Sequence, residues 1–546
     1  MGLCSTPEEK KPTNYVDMTR SFTLKSAQNI QNTKNIQNLP NQNVPYNENV
    51  PNNENNLQLE LTLDNCSSGS RYYIIVEFLN TSDSFQTETV TCHGNIITFN
   101  KTYLCTYSFE IPQLMRITVF KNGQNIGSFT PYLGSIVGSP NSTFRVKVSP
   151  DKPEFIVISA KSIGDCKNLL IFNFMIKANK NVNFDDTKNK IYFMITSNYK
   201  KIYSSELISK YGQFKTTSIP KELLEPQFEV TFFNYRNEKI VSKLETPDSF
   251  TGQNNQVYLT LNVNNNDYYI YNNSQLSQEY SFIDYIKNGV QIALSIGIDF
   301  TRSNGVLNNP NSLHRIIPGN FNDYEQAISS CGLIMAFYDY DQLFPVYGFG
   351  AIIDNTNQVN NCFNINFQQN PEIHTIDNVI EEYHKCLRKI NLWGPTYFSP
   401  IIKKEIELIN RENNPLIYHV LMILTDGVID DFKETIDAII EASFLPFSLI
   451  IIGIGNADFT NMVILDGDNV PLISSNGVKR LRDVVQFVPF NKYRNSNEEL
   501  TKQVLEEIPR QLTEYYSMLK IYPNNLKNQM MLRTKTMKNL YTVMHN

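Results

Sequence analysis

A chain of 546 residues, 41 % hydrophobic and 19 % charged, is too long for one core by the usual domain size of roughly 100–200 residues. Its formal net charge of −6 supplies no global pull toward nucleic acid, so no nucleic-acid partner is expected. The 8 cysteines include no C-x-x-C pair and follow no secretory leader, which argues for a reducing cytosolic setting and against a disulfide framework, and no apolar run reaches the ~18–20 residues of a spanning helix.

The chain opens MGLCST, which fits M-G-x-x-x-[ST]: Gly2 offers its amine for myristoylation, and Cys4 stands two residues on. One myristoyl chain attaches only marginally, at about 10⁴ M⁻¹, so palmitoylation of Cys4 is the natural second signal. Residues 1–20 are read as a lipidated segment holding the protein peripherally on the cytosolic face of the plasma membrane or endomembranes. A chance match of six residues is the alternative. Residues 21–56 are Asn-rich, too poor in apolar residues to build a core, and read as a disordered spacer.

From Leu57 short runs appear, LQLELTL, RYYIIVEFL, GNIITF, MRITVF and STFRVKV, which predict an antiparallel β-sandwich over 57–150. EFIVISA, NLLIFNFMIKA, KIYFMIT, QFEVTFF and QVYLTLNV predict a second over 154–264. A polar joint, NVNNNDYYIYNNSQLSQEY, leads into 280–522, where strands and helices alternate. That alternation predicts a doubly wound, largely parallel α/β sheet, in which ligands gather at the carboxyl ends of the strands. Residues 523–546 form a tail with Lys and Arg but no acid, able to touch an anionic leaflet or simply to be solvated.

Chemistry concentrates where the buried run ALSIGID ends. Asp299, Thr301 and Ser303 occupy alternate residues of the following turn and offer a half-shell of hard oxygens. Thr396, in WGPTYFSP ahead of a helix, and Asp426, in LTDG at the end of a later strand, extend the set. Oxygen-only ligands with two carboxylates suit Mg²⁺ or Mn²⁺. Two carboxylates merely neutralise such an ion, which can still accept an outside oxygen, preferably a carboxylate from a protein partner. Hydroxyl-rich turns after strands often bond only their own backbone, so the meaning of the turn depends on Thr396 and Asp426 joining it.

FIDYIKNGVQIALSIGIDFTRSNG, IMAFYDYDQLFPVYGFGA, NLWGPTYFSPII, LMILTDGVIDD, LPFSLIIIGIGNADF and DVVQFVPF, in that order, resemble the copine family. The resemblance implies two C2-type sandwiches, a C-terminal von Willebrand factor A-type domain, attachment to phospholipid membranes, recruitment of partner proteins and a place in calcium-linked signalling or membrane trafficking. It also implies that Asp299, Thr301, Ser303, Thr396 and Asp426 form a metal-ion-dependent adhesion site, with Thr301 where Ser is commoner. A Thr hydroxyl ligates equally well.

The sandwiches depart from the calcium-binding pattern of such domains, which uses about five acidic ligands on two loops because Ca²⁺ takes 6–8 oxygens. DNCSSGSR and FKNGQNIG in the first carry a single acid. In the second, NVNFDDTKNK and FFNYRNEKIVS offer Asp185 and Asp186 with Glu238 opposite, so these are weak calcium candidates and a solvated turn is the plainer reading. Lipidation then takes over the targeting that calcium serves elsewhere.

GIGNAD at 453–458 imitates a dinucleotide turn, but Asp458 replaces the third glycine and opposes a pyrophosphate. The histidines show no metal spacing, His384 reads as a helix-face residue, and Cys331, Cys362 and Cys386 read as small hydrophobes. No catalytic residue is assigned, and the chain is read as a non-enzymatic adaptor. The competing class is a metal-assisted phosphotransferase using Asp299 and Asp426.

Overall fold

The computed structural model describes residues 55–523 apart from 82, 164–166, 179–189, 209–211, 251–256, 264–265, 354–357 and 468–471, together with Leu526. Gly2, Cys4, Asp185, Asp186, the spacer up to residue 54 and the basic tail from 524, save Leu526, lie outside the described residues. The chain divides into two compact units, one joining the residues up to Ile163 with those from Tyr285 on, the other Gly164–Asp284.

In the larger unit the strand Asn55–Asp64 alternates strictly, with Leu57, Leu59, Leu61 and Leu63 all buried. Period-2 burial of this kind fixes which face meets the core. This strand pairs antiparallel with Tyr103–Tyr107 and Ile96–Thr98 on one side and with Phe155–Ser162 on the other. A second sheet, Ser84–Gln86, Arg71–Phe78, Met115–Lys121 and Gln124–Phe129, supplies the facing layer, with Tyr72, Ile74, Val76, Ile117 and Val119 buried.

Two expected boundaries shift. Phe155–Ser162, assigned from its sequence to the second sandwich, runs from Leu57↔Ser162 to Asp64↔Phe155 against the first strand and closes the first sandwich. Its alternation is real, but the choice of partner lies about a hundred residues away and no local pattern encodes it. Likewise the polar joint is not a linker: Asn266–Asn272 and Gln275–Glu279 are strands of the second unit. Tyr268 and Ile270 point into its core, a period-2 signal diluted by the asparagines around them. At the other end, Asn55 and Asn56, read as spacer, already pair with Tyr107 and Thr106.

The smaller unit is also antiparallel. Its core is aromatic: Phe174, fully buried, meets the rings of Phe193, Phe232, Phe250 and Tyr258 at centroid separations of 5.0–6.1 Å.

The α/β part of the larger unit has five parallel strands in the spatial order Leu343–Phe349, Gln291–Asp299, Ile417–Thr425, Phe447–Gly453 and Val485–Pro489. Short antiparallel pieces, Phe363–Asn364 and Glu372–His374, extend the first edge. The inner strands are predominantly apolar because both faces are covered, by helices that include Asp323–Met335, Ile376–Leu387, Ser399–Glu412 and Phe432–Ala442. The chain leaves Gln291–Asp299 toward one neighbour and later returns on its other side. The crevice beside Asp299 is thus a topological switch point.

The first sandwich packs directly on this domain through the turn after Asp323–Met335. Phe337 packs against Tyr132 in a tilted arrangement with ring centroids 5.0 Å apart, Tyr338 packs likewise against Phe109 at 4.9 Å, and the Tyr107 and Tyr338 hydroxyls hydrogen-bond. Gly138 admits the seam, since a Cβ there would fall 2.0 Å from the Phe337 carbonyl oxygen. Phe337→Ala is expected to lower stability by about 3–5 kcal/mol, measured by urea denaturation. A loss below about 1 kcal/mol would show that the seam contributes little.

Candidate metal centre

Parallel register sets the site. Ile298 lies level with Leu424, so the chain ends two adjacent strands by bringing Asp299 beside Thr425 and Asp426. Asp299 is fully buried. Its Oδ1 accepts the Thr301 N–H at 2.8 Å and the Thr301 hydroxyl at 2.6 Å, and its Oδ2 accepts the Thr425 hydroxyl at 2.6 Å. Across the crevice, Asp426 Oδ1 accepts the Ser303 hydroxyl at 2.8 Å and the Asn304 amide at 2.9 Å.

Thr301 Oγ1 and Ser303 Oγ stand 2.9 Å apart. When both carboxylates are ionised, each hydroxyl proton is already committed to its own aspartate, so the two oxygens face each other lone pair to lone pair. A cation relieves that arrangement. Thr396 completes the group: a Cβ built on Gly427 would sit 3.5 Å from both Ser303 Oγ and Thr396 Oγ1, so the two hydroxyls look onto one space. The structure therefore brings together Asp299, Thr301, Ser303, Thr396 and Asp426.

The charges ask for the same partner. Burial pushes the Asp299 carboxyl up from its ordinary range against the pull of its hydrogen bonds. Burial, and then the neighbouring Asp299 charge, push Asp426 up to about 7. Two carboxylates and three hydroxyls form a hard, oxygen-only donor set that fits Mg²⁺ or Mn²⁺ and offers no soft ligand to zinc. Among the described residues no group of three or more His, Cys, Asp or Glu gathers, so a divalent ion here would be neutralised by its two aspartates and no further.

A supporting layer holds the ligands. Asn304 donates to the Thr301 carbonyl at 3.2 Å as well as to Asp426, and accepts the Tyr324 hydroxyl at 2.7 Å. His314 Nε2 lies 2.8 Å from the Asp299 carbonyl and its Nδ1 2.7 Å from the Tyr383 hydroxyl. Burial drives its pKa down to about 3, so the ring is neutral, donating from Nε2 and accepting at Nδ1. Asp430 and Asp431 carry the Thr396 loop: Asp430 accepts the Thr396 N–H at 2.8 Å, and Asp431 accepts those of Phe398 and Ser399 at 3.0 and 2.8 Å. Gly350, at φ 73°, lets the turn close, because a Cβ would meet Thr301 Cγ2 at 2.2 Å.

Asn304 and Thr425 adjoin residues that the sequence singles out, and their amide and hydroxyl were the available signal. His314, Tyr324 and Tyr383 carried none, being remote in the chain. Of the other features, Glu238 bonds Asn234 at 2.7 Å, and Asp458 turns back onto the Thr460 N–H at 3.0 Å. His384, on the helix Ile376–Leu387, bonds Glu325 of the neighbouring helix. Cys331 and Cys386 are buried and Cys362 half-buried, and burial lifts their thiols to about 12, 12 and 11, the behaviour of small hydrophobes.

The chain thus joins antiparallel β-sandwich regions to an α/β domain with an oxygen-lined pocket at its switch point. The family model described as Copine matches residues 312–524, and Copine-A of Dictyostelium discoideum is 32 % identical over 461 residues, covering 78 % of this chain and 77 % of that protein. The chain belongs to the copine family. Similar solved structures include a pair of C2 domains from Extended-Synaptotagmin 2, at 11 % identity and TM-score 0.19 over 45 % of this chain and all of that one. Manganese-loaded Plasmodium vivax TRAP protein is similar at 15 % identity and TM-score 0.24, over 37 % of this chain and 70 % of that one.

Asn304→Ala is expected to weaken Mg²⁺ binding about 10–100-fold, and Asp299→Asn to weaken it further, both by titration calorimetry. The raised carboxyls give a second test. The folded Asp426 keeps its proton to higher pH than the unfolded one, so the stability present below about pH 4 declines as pH rises toward 7. In chelator the melting temperature should fall between pH 5 and 7.5, and Mg²⁺ should raise it more at pH 7.5 than at pH 5.

Proposed function

We propose that this copine is a non-enzymatic adaptor, held peripherally on a phospholipid membrane at its cytosolic face, that captures a partner protein's carboxylate through Mg²⁺ or Mn²⁺ on its α/β domain. The observation that carries the reading is the convergence of Asp299, Thr301, Ser303, Thr396 and Asp426 on one space at the switch point. Which end of signalling or trafficking it serves follows from the partner.

The phosphotransferase alternative is disfavoured by the residue that follows Asp299 at the second position. An aspartyl-phosphate route with Asp299 as nucleophile would need a second carboxylate two residues on as acid and base, and Thr301 stands there.

Membrane attachment in this reading rests on Gly2 and Cys4. Among the described residues no helix is long and apolar enough to cross a bilayer. The first sandwich supports the same division of labour: Asp64, the acid of its first loop, is 3.2 Å from Arg145, and the buried Glu154 is 2.9 Å from Lys121. Carboxylates neutralised by cations of the same domain are poor calcium ligands. Myristoylated protein should float with liposomes equally in calcium and in chelator, while Gly2→Ala stays in the soluble fraction. Flotation of both only with calcium would overturn this assignment of the anchor.

A further inference from the structure

The rim of the metal centre carries features that neither the sheet nor the ligand set requires. The chain has 1 tryptophan, Trp393, and it is 51 % exposed three residues before Thr396. Its backbone is pinned on both sides: its N–H donates to the Gly350 carbonyl at 2.9 Å, and its carbonyl accepts the Arg302 N–H at 2.6 Å. The Arg302 guanidinium stands 5.8 Å from the indole ring, within cation–π range.

Arg302 lies between the ligands Thr301 and Ser303, is exposed, and pairs with no carboxylate among the described residues. Val428, next to Gly427, is 50 % exposed, and Val306, three residues after Ser303, is 62 % exposed. An unpaired cation over an exposed indole, with exposed valines close in the chain to the ligand residues, is the composition of a protein-binding hot spot, where Trp and Arg dominate.

We infer that this rim selects the partner: a protein segment that gives one carboxylate to the metal and a second to Arg302, with an apolar side chain between them seated on Trp393 and Val428. The inference rests on the metal-centre reading and adds to it the residues that set specificity. Charge complementarity defines the occupant, since a divalent ion at the centre would accept one carboxylate and the Arg302 guanidinium, over the exposed indole at 5.8 Å, a second. A continuous anionic leaflet fits less well, because Asp430, exposed beside Ile429 and Val428, places a negative charge on the same rim. A spaced peptide can avoid it.

The lone tryptophan makes the test direct. The full chain in Mg²⁺ is titrated with a peptide of sequence Gly-Asp-Leu-Glu-Gly, and with its Asn/Gln counterpart, reading indole fluorescence and, for every variant, calorimetry. The acidic peptide should shift the fluorescence saturably in Mg²⁺ and not in chelator, and the amide peptide should do neither. Arg302→Gln and Trp393→Ala should each weaken the acidic peptide about tenfold or more while binding Mg²⁺ alone as tightly as wild type. If wild type binds Mg²⁺ but both variants bind the peptide normally, or wild type does not bind it at all, the rim inference is overturned and the metal reading stands. Failure of wild type to bind Mg²⁺ would overturn the metal reading instead. Binding of phosphatidylserine vesicles through Arg302 and Trp393, with no peptide binding, would reassign the rim to lipid.

Discussion

The architecture of the α/β domain turns on one carboxylate removed from water. Burying an ionised carboxylate without compensation costs several kcal/mol, and Asp299 is fully buried at the end of an inner strand. Its surroundings answer that cost group by group: a backbone N–H and two threonine hydroxyls on its oxygens, and His314 on its own carbonyl. Because His314 is in turn oriented by Tyr383, the position of one aspartate is linked through hydrogen bonds to the helix Ile376–Leu387 on the sheet face.

The compensation is incomplete in a way that has chemical use. Hydrogen bonds from hydroxyls stabilise Asp299 and Asp426 but do not offset burial, which raises both carboxyls and is joined at Asp426 by the Asp299 charge. Two aspartates would balance the charge of a divalent ion, which would leave it able to take a further anion. In the proposed reading the ligand set calls for an oxygen anion as partner. In the inference drawn above, the exposed side chains around it, Arg302, Trp393 and Val428, would act on a different quantity, the difference in affinity between one anion and another.

Much of the candidate ligand set was legible because it is compressed into short motifs. Asp299, Thr301 and Ser303 sit within five residues, and Thr396 and Asp426 each fall at a punctuated turn before or after a regular element. The supporting layer was not legible. Asn304 becomes a bridge between Thr301, Asp426 and Tyr324 only when helix Asp323–Met335 packs beside the turn, and His314 meets Tyr383 across 69 positions of chain. The same limit explains the misplaced boundaries. Phe155–Ser162 has a clear strand pattern, yet its assignment to one sandwich or the other is a matter of pairing with Asn55–Asp64.

Sequence by itself determined the local grammar of this copine: alternating runs that must be half-buried strands, the continuous apolar runs that must be inner strands of a covered parallel sheet, and the residue types able to offer hard oxygens. Those properties follow from side-chain period and chemistry within a few residues. Tertiary structure alone decided which strand closes the first sandwich, how Phe337 and Tyr338 bind that sandwich to the α/β domain, and that Ser303 and Thr396 face a common space. Each of these is a meeting of chain segments far apart in sequence, settled by the mutual fit of whole packed surfaces.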